Sequence, residues 1–112
     1  MNDPLFGPKR IYDSDVQLLH RLGIDVANGM TVKHAEKTHL GRATRLSNGS
    51  PLIAQVDIYV EAWPACFYRI EMRGVGAQAN KDVVMTTGSG KLSDYWPIAE
   101  SYITGMFGIN PL

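Results

Sequence analysis

The chain has 112 residues, with eleven basic side chains balanced by eleven acidic ones and a single cysteine. That length makes one domain with a single core, and zero formal charge lacks the basic excess of a general grip on DNA or RNA. One thiol excludes an internal disulfide framework, and no apolar run nears the roughly 20 residues of a membrane helix.

The N-terminus has no basic region followed by an apolar one, so no signal peptide is read and a cytoplasmic location is expected. Proline and glycine in MNDPLFGPKR and GINPL mark ends expected to be flexible, at about 1–10 and 109–112. A first helix is predicted from Ser14, which has capping-box spacing to Gln17, with Asp13 and Asp15 placing negative charge at the helix N-terminus. Val16, Leu18, Leu19 and Leu22 give it an apolar stripe, and Gly23 ends it.

Asn28-Gly29 is a turn signal. From Thr31 to Leu46 the pattern is ambiguous: Val32, Ala35, His39, Ala43 and Leu46 fit a helical stripe, but Gly41 interrupts it. The preferred reading is a helix from Val32 to Lys37 and a strand from His39 to Leu46. Asn48-Gly49 then turns a hairpin into the next strand.

That strand, Leu52 to Val60, alternates strictly. Leu52, Ala54, Val56, Ile58 and Val60 share one face; Ile53, Gln55, Asp57, Tyr59 and Glu61 share the other. Trp63-Pro64 ends it. The strand Cys66 to Arg73 repeats the pattern, with Cys66, Tyr68, Ile70 and Met72 against Phe67, Arg69, Glu71 and Arg73. A shorter strand is predicted over Val83 to Thr87, closed by Gly88-Ser89-Gly90. A final helix capped by Ser93 or Asp94, with Pro97 in its first turn, carries Tyr95, Ile98, Ala99, Tyr102, Ile103 and Met106 on its apolar stripe. The fold class is therefore α+β: a four-stranded antiparallel meander packed by the C-terminal helix, with one or two short helices before it.

Chemistry-bearing motifs are sparse. GSGKLS, Gly88 to Ser93, lacks the upstream glycine and the following Ser or Thr of a phosphate loop. His20, His34 and His39 lack zinc-ligand spacing, so no metal or cofactor is expected. Cys66 sits on an apolar strand face, where a thiol is inert. Asp57, Glu61 and Glu71 lie beside Arg69 and Arg73, an arrangement for cross-strand ion pairs.

Two features remain as candidate sites. One is a basic cluster, Lys33, Lys37, Arg42 and Arg45 with His34 and His39, facing one acid, Glu36. The other is the outward sheet face, Ile53, Tyr59, Phe67, Arg69 and Arg73, rich in the aromatic and arginine side chains of binding hot spots. Together they point to a non-enzymatic accessory protein (subunit, adaptor or inhibitor) acting by protein binding through this face or by homodimerisation. The alternative is a ligand-binding or enzymatic cone lined by Trp63, Tyr68, Trp96 and Tyr102. Single-stranded nucleic acid is a less favoured partner for the same sheet.

Overall fold

The computed structural model describes residues 8–33, 35–62, 66–76, 79–88 and 90–107. In chain order the elements are β1 (Lys9–Arg10), α1 (Asp13–Arg21), β2 (Thr31–Val32), β3 (Lys37–Arg45), β4 (Pro51–Ala62), β5 (Cys66–Arg73), β6 (Asp82–Thr86) and α2 (Leu92–Phe107). The class is α+β. Strands β3 to β6 form a four-stranded antiparallel sheet in sequential order, and β1 and β2 make a separate two-stranded ribbon.

Period-two alternation sets the sheet. Val56, Ile58 and Val60 of β4 and Tyr68, Ile70 and Met72 of β5 are all at most 1% exposed. They pair directly across the ladder, so one face of the sheet is continuous core. Helices α1 and α2 lie on that side and contribute Val16, Leu19, Trp96, Ala99 and Ile103 to the same cluster. Asn48 and Gly49 turn the β3–β4 hairpin: Gly49 takes φ +89°, and the Asn48 side chain accepts from the Ser50 amide at 2.9 Å.

Several expectations need correction. No helix spans Val32 to Lys37. Thr31 and Val32 pair with Arg10 and Lys9, and Ala35 takes φ +60°, far from the helical value near −63°. The Ala35 amide instead donates to the Ala62 carbonyl at 2.8 Å, tying the approach to β3 onto the end of β4. Residues 9 and 10, expected within a flexible end, are therefore a paired strand; positions 1–7 and 108–112 lie outside the described residues, as does the Trp63-Pro64 corner.

The first helix starts at Asp13 with Tyr12 as its N-cap and no side-chain cap, so the Ser14 capping box does not form. Its other end is closed from a distance. Arg45 Nε donates to the Arg21 carbonyl at 2.7 Å, and the Thr44 amide donates to the Leu22 carbonyl at 2.9 Å.

Helix α2 is rotated from the predicted face. Leu92, Trp96, Ala99, Ile103 and Phe107 are buried, whereas Ile98 is 57% and Tyr102 45% exposed. Apolar residues occur almost all round this helix, so spacing alone admits two faces. Neither Ser93 nor Asp94 caps it. The buried Asp15 carboxylate of α1 accepts from the Leu92 amide at 3.1 Å and the Ser93 amide at 2.8 Å. This anchor holds the start of the helix against α1 and turns Trp96 inward. Pro97 falls in the second turn, where the Ser93 carbonyl goes without its usual donor.

Candidate functional site

The outer face of the sheet is where the charged and aromatic strand residues gather, and no described element packs across it. Register aligns Tyr59 with Arg69, Glu61 with Phe67, Asp57 with Glu71, and Gln55 with Arg73. On β6, Thr86, Val84 and Asp82 lie opposite Arg69, Glu71 and Arg73 and extend the same face.

Strand β3 joins it through an irregularity. His39 pairs with Tyr59 and Gly41 with Ile58, so Leu40 is an extra residue and side-chain parity reverses there. Glycine is required at the reversal: Gly41 has φ +151°, and a Cβ there would come within 3.0 Å of Ile24. Lys37, His39 and Arg42 consequently share the outer face despite their uneven spacing.

These side chains are tied to one another. Asp57 accepts from His39 Nε2 at 3.0 Å, Arg42 Nη2 at 3.2 Å and Arg42 Nε at 3.3 Å. Burial works to raise the Asp57 carboxyl, but hydrogen bonds from Arg42 and His39 outweigh it and the net shift is downward. Glu71 accepts from Arg69 Nε at 2.7 Å and meets Lys37 Nζ at 3.5 Å. The Arg69 hydrogen bond holds its carboxyl below the ordinary value. Lys37 Nζ also sits 4.4 Å above the Tyr59 ring, and His39 tilts against that ring at 4.8 Å. Arg73 pairs with Asp82 at 3.1 Å. Lys37, Arg42, Arg69 and Arg73 thus balance Asp57, Glu61, Glu71 and Asp82. Between them lies a hollow of about 320 Å³ lined by Arg42, Gln55, Asp57, Glu71, Arg73 and Asp82.

Of the sheet-face candidates, Tyr59, Phe67, Arg69 and Arg73 stand together on this surface. Ile53 is partly buried and packs against the core cluster. The basic candidates are dispersed. Lys37 and Arg42 belong to the outer face, Arg45 caps the carbonyls of α1 beside a shallow hollow of about 210 Å³, and Lys33 is exposed in the loop before β3. His34 lies outside the described residues.

The interior holds a second polar group of residues. Asp15 is 0% exposed, and the Tyr68 hydroxyl is buried beside it; among the described residues neither that hydroxyl nor the buried Trp96 indole N–H has a hydrogen bond of good geometry. Burial, and after it the Asp15 charge, push both the Tyr68 hydroxyl and the Cys66 thiol upward, away from ionisation. Of the proposed cone, Trp63 is outside the described residues and Tyr102 faces outward.

Asp15 was legible only as helix-terminal charge. The overlooked signal is its place at helical spacing with Leu18, Leu19 and Leu22, on the buried stripe of α1. Its carboxylate also occupies the amides that a phosphate would need in GSGKLS. Among the described residues no three His, Cys, Asp or Glu side chains converge as a metal site, and no helix is long and apolar enough to cross a membrane. No family model, curated protein or solved structure matches this chain.

Proposed function

We propose that this chain acts by binding another protein on the outer face of its sheet, as a subunit, adaptor or inhibitor. The observation that carries this reading is the placement of Tyr59 and Phe67, diagonal neighbours on a face that no described element covers. Paired charges surround them, so the side chains are already oriented and little freedom is lost on docking. Aromatic rings with arginine beside them are the chemistry of binding hot spots.

Balanced charge narrows the partner to a protein surface of mixed sign. Each arginine of the face already has a carboxylate, so a nucleic-acid backbone would displace ion pairs instead of counterions. The titrating groups support a binding role as well: Asp57 and Glu71 are held ionised, and Cys66 and Tyr68 are held neutral. None of these four is poised near neutral pH for acid–base or nucleophilic work.

The test is retention of partners from native lysate by the intact chain and by a Tyr59→Ser, Phe67→Ser double variant, with circular dichroism to verify folding. Loss of a partner by roughly tenfold or more is expected. Identical partner profiles for the two folded proteins would overturn the reading.

A second reading rests on the Trp96 indole N–H and the Tyr68 hydroxyl beside Asp15, which lack a hydrogen bond of good geometry among the described residues and suit a small polar ligand in the interior. Native mass spectrometry of freshly isolated protein decides it: a bound small molecule supports this reading, and the bare chain mass removes it.

A further inference from the structure

We propose that β6 is a docking edge for a second copy of this chain, paired antiparallel about a two-fold axis at Val84. The inference concerns a different surface from the centre of the outer face and stands whether or not that face binds a partner.

The hydrogen-bonding parity of β6 follows from its two ends. The Gly74 amide donates to the Lys81 carbonyl at 2.9 Å, and the Thr87 amide donates to the Tyr68 carbonyl at 3.0 Å. Bonded pairs recur every second residue in an antiparallel ladder, so Val83 and Met85 turn their backbone groups toward β5. Asp82, Val84 and Thr86 turn theirs to the opposite edge, where no backbone partner is found among the described residues.

The two edges of the sheet differ in how they are protected. Beyond β3, Leu40 bulges, the Thr44 amide is taken by the Leu22 carbonyl, and Arg45 reaches over to α1. These devices close an edge against pairing. Strand β6 has no bulge in its register, and its sequence DVVMT holds no proline or lysine. Its outward side chain Val84 is 49% exposed.

What favours a second copy over another strand is the symmetry of DVVMT. A two-fold axis at Val84 sets Val84 against the partner's Val84, Asp82 against the partner's Thr86, and Val83 against the partner's Met85. Apolar meets apolar on both faces, and the one charged residue meets a hydroxyl. The two Asp82 side chains end about 14 Å apart along the strands, beyond the screening length at physiological salt. Every outward N–H and C=O of Asp82, Val84 and Thr86 gains a partner. Parallel pairing in register would instead set Asp82 beside its own copy. The outcome is one continuous sheet of both copies with their outer faces on the same side. A five-residue edge is a small interface, so association that depends on concentration is expected.

Sedimentation of the intact chain tests this. The wild type is expected to pass from 12.4 kDa to twice that mass as concentration rises. Val84→Pro removes an N–H that points away from β5, at an edge position where a strand tolerates proline, and Val84→Lys and Val84→Glu place like charges across the axis; each is expected to remain monomeric. Mixing the Val84→Lys and Val84→Glu chains is expected to restore the dimer, because opposite charges then meet. Amide exchange at Asp82, Val84 and Thr86 is expected to slow on dimerisation, with Tyr59→Ser, Phe67→Ser leaving self-association intact. A wild-type mass that stays at 12.4 kDa up to about 1 mM, the weak end of specific association, would overturn the proposal. So would a dimer indifferent to all three Val84 variants, a mixture that stays monomeric, or an edge that captures a foreign strand while the pure chain remains a monomer.

Discussion

On its inner side the sheet presents Val56, Ile58, Val60, Tyr68 and Ile70, none more than 1% exposed. On its outer side the same strands present Asp57, Tyr59, Arg69 and Glu71, all partly exposed and linked by ion pairs. A large apolar side chain fully buried on the inner face contributes ~1.5–3 kcal/mol, whereas an exposed ion pair contributes ~0–1 kcal/mol. Fold stability therefore does not account for the composition of the outer face. A connected surface that adds little to stability is what the proposed binding role requires.

The comparison is tested most severely at Asp15, the one fully buried charge among the described residues. Asp15→Ala leaves the Leu92 and Ser93 amides without an acceptor and is expected to cost about 2–4 kcal/mol in chemical denaturation. A loss below ~1 kcal/mol would show that α2 is positioned by its apolar stripe alone.

Next in size is Tyr68→Phe. With only a contact of poor geometry to Asp15 to lose among the described residues, removal of this buried hydroxyl is expected to leave stability unchanged or raise it by about 1 kcal/mol. A clear destabilisation would mean that the hydroxyl has a partner in solution and would strengthen the case for an interior ligand.

The smallest effect belongs to the outer face. Asp57→Asn with Glu71→Gln is expected to cost no more than about 1 kcal/mol at neutral pH. Both carboxyls titrate lower in the folded chain than in the unfolded one, so their contribution is complete above the ordinary carboxylate pKa and is lost as pH falls through the lowered folded values. Wild-type stability should decline below about pH 4, and the double variant should decline less over that window. Equal decline in both proteins would assign the acid sensitivity elsewhere.

Much of the sheet was legible because β4 and β5 alternate without error, and the hairpin was legible because Asn-Gly marks its turn. The shared face of Tyr59, Phe67, Arg69 and Arg73 follows from the same parity. What period two cannot carry is an inserted residue, so the addition of Lys37, His39 and Arg42 through the Leu40 bulge was hidden. Gly41 was its only trace, and it was read as an interruption of a helix. The rotation of α2 was hidden for another reason. Tyr95 and Trp96 compete for the core in sequence, and the choice depends on a carboxylate in a different helix. The stretch 31–37 was misread because Val32 is buried by strand pairing and not by a helical stripe.

The Asp15 cap also orders events in time. Its carboxylate is synthesised 77 residues before the Leu92 amide it will hold. At translation rates of 5–20 residues per second, roughly 4–15 s separate the two. During that interval α1 carries a charge among its apolar residues with no acceptor-seeking amides to receive it, and the carboxylate stays in water. Full burial of the Asp15 charge therefore requires the start of α2, which ties the packing of the two helices to each other.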